Sequence, residues 1–347
     1  MFGEYLKKVM SGEHLTFDES EEAMDMIMGG MVDDIKLAAF LTALKINIES
    51  VDEIAGFAVS LRKNAVKFEK KEQCIDTCGT GGDGRSTINV STIAAIIASC
   101  LGIKVAKHGN RAVSGTCGSA DFIEALGINI IMSPEETAGQ MSRTNFGFLF
   151  APIYHKAMKN AVNVRKNLNT ATVFNILGPL SNPACTDGQV MGVYKKELVG
   201  KAACVLHRTG LKKGFVVHGF DGSDEISVRG DTYVAELRDG AVREYVYSPK
   251  RIFYGDTSGT TPAENARTAI MLLENRIGGA KRELVLINSA AAICAAGKAR
   301  DFEEGYDLAR QVLEEKLGIT KINEILAYQK QNRKGDIHRD SRQNISR

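Results

Sequence analysis

Apolar residues recur every three or four positions through residues 1 to about 67, the spacing of helices that bury one face. The run Phe17-Asp18-Glu19-Ser20-Glu21-Glu22-Ala23-Met24 opens one such helix, with acidic residues in the first turn where the helix dipole favours them. Gly29-Gly30 interrupts the pattern, Asp33 to Ile46 predicts a second helix, and Val51 to Asn64 a third with Ile54, Phe57, Ala58 and Leu61 on one face. These segments make a small helical subdomain over residues 1–70.

The pattern changes at Cys74. Short apolar runs predict strands at Cys74–Cys78, Lys104–His108, Gly127–Ile131, Val190–Tyr194 and Lys213–Gly219. Longer periodic runs between and after them predict helices at Val90–Leu101, Ser119–Leu126, Lys196–Leu206, Pro262–Leu273, Glu283–Lys298, Asp301–Leu317 and Ile319–Gln331. Residues 226–248 alternate apolar and polar, as an antiparallel section does. Strands alternating with helices imply an α/β domain, over residues 71–330, with a mostly parallel sheet covered on both faces. The last stretch, residues 331–347, has little apolar content and reads as a solvated, disordered basic tail.

Composition narrows the function classes. The 347 residues carry 44 Lys and Arg against 42 Asp and Glu, a net charge of +2. From Lys330 onward the chain holds a local excess of +4, so the rest is about −2 and gives no reason to expect a nucleic-acid or membrane-surface partner. No run of 18 apolar residues predicts a membrane span. The first eight residues are amphipathic, without the apolar centre of a secretion signal, so a cytoplasmic location is expected. Seven cysteines without a CxxC pair read as small buried hydrophobes in a reducing compartment, not as a zinc site.

Four polar stretches interrupt the apolar elements. Asp76-Thr77-Cys78-Gly79-Thr80-Gly81-Gly82-Asp83-Gly84 follows a strand and precedes a helix. Its glycines let the backbone turn sharply and bring successive N–H groups to an anion. It lacks the Gly-Lys-Ser/Thr ending of a P-loop and the spacing of the dinucleotide fingerprint. Thr87-Ile88-Asn89-Val90-Ser91-Thr92 opens the next helix, where the hydroxyls serve either as caps or as phosphate and metal-water ligands. Lys107 to Asp121 joins fixed positive charge, amides, glycines and hydroxyls in one strand-to-helix connection, a composition suited to a polyphosphate. Asp224-Glu225, in the turn after the strand ending in Gly219, is either an acidic turn or a pair of Mg²⁺ ligands. His155 and Arg165 stand apart; an arginine among apolar residues can clamp a carboxylate with two hydrogen bonds.

Together these stretches resemble the anthranilate phosphoribosyltransferase family, and the resemblance runs from the N-terminal helices to about Gln331. Gly79 to Asp83, Asn89 to Thr92, Lys107 to Ser114, Gly118 to Asp121, Asp224-Glu225 and Phe174 to Pro183 carry it. The resemblance implies the nucleoside-phosphorylase-like fold, a small helical subdomain joined by part of residues 165–185 and a large α/β subdomain, with ligands in the cleft between them. It implies homodimers formed through the helical subdomain, and transfer of the 5-phosphoribosyl group of 5-phosphoribosyl 1-diphosphate (PRPP) to anthranilate in tryptophan biosynthesis, releasing diphosphate.

Carried over by position, the PRPP site is Gly79, Gly82, Asp83, Thr87, Asn89, Val90, Ser91, Thr92, Lys107, His108, Gly109, Asn110, Arg111, Ala112, Val113, Ser114, Gly115 and Ser119. Anthranilate is met by Gly79, Asn110 and Arg165. Ser91, Asp224 and Glu225 hold Mg²⁺, two ions being expected, and Lys107, Asp224 and Glu225 form the catalytic set. Two departures from the family pattern stand in Gly115-Thr116-Cys117, where the family has Ser-Lys-Ser, and in Ala171, where it has arginine. The alternatives are a pyrimidine nucleoside phosphorylase-like enzyme and a non-catalytic nucleic-acid-binding paralogue. The intact Asp224-Glu225 pair and the near-neutral charge weigh against the paralogue, and the Lys107-His108-Gly109-Asn110-Arg111 loop against the phosphorylase.

Overall fold

A computed structural model describes residues 1–112 and 116–343, with side chains through residue 332. Four helices come first: α1 (Phe2–Met10), α2 (Phe17–Met28), α3 (Asp34–Asn47) and α4 (Val51–Lys63). Thr16 and Glu19 cap α2 reciprocally, and Ser50 and Glu53 do the same for α4. Glu53 also accepts the Leu15 N–H at 3.0 Å, so one buried carboxylate fixes the start of α4 and the approach to α2.

The α/β part follows in chain order. It runs β1 (Ile75–Gly79), α5 (Val90–Cys100), β2 (Val105–Gly109), α6 (Ser119–Ala125), α7 (Pro134–Thr144), β3 (Phe146–Phe150), α8 (Ala151–Tyr154), α9 (Lys159–Leu168) and α10 (Phe174–Leu180). It continues β4 (Gly188–Gly192), α11 (Leu198–Arg208), β5 (Lys213–Gly219), β6 (Thr232–Arg238), β7 (Ala241–Tyr247), α12 (Pro262–Leu273), α13 (Ala280–Ala295), α14 (Phe302–Glu314) and α15 (Leu317–Gln343).

The seven strands lie in the order β3-β2-β1-β4-β5-β6-β7. The first five are parallel and the last two antiparallel. On one face α5 and the Ala-rich α13 sit in the same apolar core as α6, α12, α14 and α15. On the other face α11 packs against β5 and β6 in a second core shared with α1 to α4. Val164 of α9 and Phe174 and Leu177 of α10 also enter that second core, so chain from the middle of the sequence completes the helical layer.

Two expectations are corrected here. Gly127–Ile131 is not a strand. Both backbone groups of Asn129 are taken by the Gln329 side chain of α15, at 2.9 and 3.1 Å, which leaves them unable to join a ladder. The edge position beside β2 belongs instead to the fully buried run Phe146–Phe150. The second correction concerns the tail: α15 continues past Gln331 to Gln343. Its Gln, Lys and Arg are good helix formers and it holds a single Gly335 beyond that point, so polarity alone does not end the helix.

Candidate active site

The chain leaves β1 for β2 on one side and returns to β4 on the other, so β1 and β4 flank the point where strand order reverses. Loops at the carboxyl ends of such strands diverge and open a crevice. The loops after β1, β2 and β5 carry the four polar stretches singled out from the sequence, two of them after β1, and all begin at this edge.

The Gly-rich loop leaves β1 at Gly79. Thr80 fastens it to β4: its N–H donates to the Gly192 carbonyl at 3.0 Å and its Oγ1 accepts the Tyr194 N–H at 3.1 Å. Gly81, Gly82 and Gly84 take positive φ values of 60°, 77° and 71°, which side chains rarely adopt. The loop then pairs with residues 257–259. Thr87 bridges Ser258, and Ile88 N–H donates to the Thr257 carbonyl at 3.1 Å. Asn89, at the start of α5, is held from three sides: Asn265 donates to it at 3.1 Å, Cys117 Sγ at 3.2 Å, and its own amide donates to the Cys117 carbonyl at 3.3 Å.

The acidic turn closes over β1. Asp224 Oδ2 accepts the Gly81 N–H at 3.0 Å, and Glu225 Oε1 accepts the Thr87 hydroxyl at 3.0 Å. Asn288 of α13 fixes the next residue, accepting the Ile226 N–H and donating to its carbonyl. Glycine at 79 and 192 permits this approach. A Cβ on Gly192 would lie 1.6 Å from the Asp224 carbonyl oxygen, and one on Gly79 would lie 2.3 Å from Asp224 Oδ2. Since Asp224 Oδ2 ends a movable side chain, Gly79→Ala is expected to leave the fold intact while displacing that carboxylate. Turnover should fall about tenfold or more, a loss of about 1.4 kcal/mol of transition-state stabilisation; kinetics beside a thermal melt checks it.

The electrostatics of the pair bear on whether it could hold a cation. Burial, then the charge of Asp83, pushes the Asp224 carboxyl up to about 6. Burial and the neighbouring Asp224 raise Glu225 well above the ordinary carboxylate range. Glu225 Oε2 is buried without a hydrogen-bond partner. Two close carboxylates with an orphaned oxygen fit a hard divalent cation such as Mg²⁺. Among the described residues no group of three or more His, Cys, Asp or Glu forms a cage. A pair that leaves most of the coordination sphere to substrate oxygens and water suits Mg²⁺.

Ser91 and Lys107 form a separate cluster on the α5 side of β1. Lys107 is 1% exposed and donates to the Thr77 carbonyl and, at 3.3 Å, to Ser91 Oγ. Thr77 Oγ1 donates to the Ser91 carbonyl at 2.8 Å. The ammonium therefore lies beneath the Ser91 hydroxyl, with one of its three donors unused by the chain. Burial lowers the Lys107 pKa, opposed by the charge of Asp76. Asp76, fully buried on β1, accepts the His108 N–H at 3.3 Å and an Asn182 N–H at 2.8 Å; burial raises it to about 6.

The other expected positions divide. Gly79, Gly82, Asp83, Thr87, Asn89, Ser91, Gly109, Asn110 and Ser119 are at least partly accessible around the crevice, whereas Val90 and Thr92 are buried in α5. His108 packs against His155 at 5.1 Å between ring centroids, and burial holds both rings neutral, near 3 and 4. Arg111 is committed to Asp121 and Glu124, and Asp121 also accepts the Ala112 and Gly118 N–H groups, so this cation shapes its loop. Val113, Ser114 and Gly115 lie outside the described residues. Arg165 of α9 lies with its guanidinium 5.1 Å from the Phe174 ring centroid and has no acidic partner among the described residues. Sequence reasoning missed Thr80, Asn182, Asn265 and Asn288. A lone asparagine inside the apolar run Leu286-Ile287-Asn288 was the available signal.

Comparison with known proteins gives the family. A glycosyl transferase family helical bundle domain matches residues 3–65, and a glycosyl transferase family α/β domain matches residues 71–316. Anthranilate phosphoribosyltransferase from Clostridium kluyveri is 46% identical over 334 residues, 94% of this chain and 99% of the relative. The one from Thermoanaerobacter sp. is 46% identical over 338 residues, 95% and 99% of the two chains. The crystal structure of the Thermus thermophilus enzyme superposes with a TM-score of 0.88 at 37% identity, covering 93% of this chain and 98% of that one. The Saccharomyces cerevisiae enzyme in complex with PRPP and Mg gives 0.86 at 26% identity, covering 94% and 97%. On full-length similarity, two matching domain models and a shared fold, the chain belongs to the anthranilate phosphoribosyltransferase family.

Proposed function

We propose that the chain transfers the 5-phosphoribosyl group of PRPP to the amino group of anthranilate, giving N-(5-phosphoribosyl)anthranilate and diphosphate. The observation that carries this is the convergence at one crevice of a Gly-rich loop, a hydroxyl-rich helix start and a half-buried carboxylate pair. A polyphosphate ester needs all three: backbone donors, hydroxyls and a cation held by carboxylates.

The roles follow from chemistry. Departure of diphosphate leaves C1 oxocarbenium-like, and the leaving group gathers negative charge. Backbone N–H groups of the 79–84 loop and the Ser91 hydroxyl, backed by Lys107, present donors that cost no reorganisation as that charge forms. Asp224 and Glu225 are the residues that would hold Mg²⁺, which when bound neutralises phosphate oxygens. The aromatic amine attacks C1 itself, so the protein supplies no covalent nucleophile. Neutral, buried His108 and His155 are suited to positioning rather than to carrying a stable charge.

Arg165 is read as the anthranilate clamp. Its support is a half-buried guanidinium stacked on Phe174 without an acid beside it. Arg165→Ala is expected to raise the anthranilate KM about ten- to a hundredfold, the equivalent of about 1.5–3 kcal/mol for a lost charged hydrogen bond, while PRPP affinity holds. An unchanged anthranilate KM refutes the clamp.

Two Mg²⁺ ions, domain limits at residues 70 and 330, and a cytoplasmic homodimer complete the reading. The dimer has the exposed Ile35, Ile46 and Ile48 of the helical layer in its favour, at 83, 74 and 69%. No described helix is long and apolar enough to cross a membrane. The function is tested by anthranilate fluorescence, which is expected to fall only when PRPP and Mg²⁺ are both added. Unchanged fluorescence, with phosphate-dependent cleavage of uridine instead, would place the chain with nucleoside phosphorylases.

A further inference from the structure

Residues 255–261 and the first turn of α12 lie against the Gly-rich loop and the start of α5. The Gly259 N–H donates to the Ser86 carbonyl at 2.5 Å. A Cβ on Gly259 would lie 2.7 Å from the Thr87 carbonyl oxygen and 2.8 Å from the Asn265 side-chain amide, so glycine lets the three segments close up. Asn265 of α12, 2% exposed, stands at their meeting point.

A helical side chain leans toward the N-terminus of its helix, and that of Asn265 reaches back past the first turn. Its Oδ1 accepts the Thr260 N–H at 2.8 Å, and its Nδ2 donates to Asn89 Oδ1 at 3.1 Å. Asn89 Oδ1 also accepts the Cys117 thiol at 3.2 Å, and Asn89 Nδ2 donates to the Cys117 carbonyl at 3.3 Å. Main-chain groups thus stand at both ends of a chain of two amides and settle its polarity. The Thr260 N–H can only donate and the Cys117 carbonyl can only accept, so neither amide turns over without setting like against like. The Asn89 oxygen is used twice, while one of its two N–H donors takes no acceptor among the described residues. Fastening a helix start needs only an acceptor, as Asp33 and Asp301 provide for α3 and α14. Asparagine at 265 adds a buried donor, costly unless it is used, and that donor is spent on Asn89.

We propose that Asn265 is a positioning residue for PRPP: it fixes the Asn89 amide so that the remaining N–H meets a phosphate oxygen. This rests on the reading of the crevice as a PRPP site. Phosphate oxygens accept hydrogen bonds, so a turned-over Asn89 would oppose them with its own oxygen. An amide already locked in the binding orientation loses no rotamer freedom when the ligand arrives.

The test combines kinetics, calorimetric titration with PRPP and Mg²⁺, and a double-mutant cycle. Asn265→Asp keeps the acceptor for Thr260 but turns an oxygen toward Asn89 Oδ1. Its PRPP KM and dissociation constant are expected to rise together, about tenfold or more, with the anthranilate KM at saturating PRPP nearly unchanged. Asn265→Ala should act in the same direction, and it alone suffices if Asn265→Asp does not fold. Because Asn265 acts through Asn89, Asn89→Ala/Asn265→Ala should be no worse for PRPP than Asn89→Ala alone. An unchanged PRPP KM in folded Asn265→Ala, additive losses in the cycle, or equal losses for both substrates would overturn the proposal while leaving the PRPP reading in place. A parent protein that neither binds nor consumes PRPP would overturn that reading, and the positioning role with it.

Discussion

Replacing both carboxylates in Asp224→Asn/Glu225→Gln is expected to lower kcat/KM at least about a hundredfold, a loss of about 2.7 kcal/mol of transition-state stabilisation. The dependence on Mg²⁺ should flatten with it. The same change should not destabilise the metal-free protein. Both carboxyls have folded-state pKa values above their ordinary ones, through burial and then a neighbouring carboxylate, Asp83 for Asp224 and Asp224 for Glu225. A raised carboxyl contributes stability that is fully present below its unfolded pKa and lost as pH rises through the folded one. For Asp224 the window runs from 3.8 to about 6. The amide variant has no such charge to bury, so its melting temperature should gain on the parent's as pH rises from 4 to beyond 6. Added Mg²⁺ should narrow the gap by stabilising only the parent. Melts across pH with and without Mg²⁺ decide this. A variant that is active, or that melts with the parent at every pH, contradicts a buried cation site.

The second large effect belongs to Lys107. Lys107→Met keeps the aliphatic stem but removes the ammonium that donates to Thr77 and Ser91. The Thr77 carbonyl then loses a donor and the Ser91 hydroxyl loses its support. An unmade buried hydrogen bond costs about 1–3 kcal/mol, and Asp76 loses a compensating positive charge nearby. Both stability and PRPP use are expected to drop. The PRPP KM should rise about tenfold or more, with the anthranilate KM nearly unchanged. A stability loss without any change in PRPP kinetics would confine Lys107 to the architecture of the sheet.

Much of the fold was legible because the α/β alternation is local. Lys213–Gly219 and Pro262–Leu273 form the elements their patterns predict, with the same ends. The failures have nonlocal causes. Nothing near Asn129 announces Gln329, two hundred residues away, which occupies the backbone that would have made a strand. Phe146–Phe150 carries no alternation because both faces of this parallel strand are buried. The site was legible as glycines, hydroxyls and charges in loops, since such loops are costly unless they bind something. Accessibility was not. Lys107 is drawn under Ser91 and Arg111 is taken by Asp121 and Glu124, outcomes set by pairings across the fold. Asn182 reaches Asp76 across 106 positions, and Asn288 reaches Ile226 across 62, so single polar residues in apolar runs gave no direction.

If the crevice at β1 and β4 joins PRPP to an aromatic amine, diphosphate release measured together with anthranilate consumption must show the two in step. One diphosphate is expected for each anthranilate consumed, only with Mg²⁺ present, and both signals are expected to be lost together in Asp224→Asn/Glu225→Gln. Anthranilate consumed without diphosphate, or an undiminished rate in that folded variant, would contradict it.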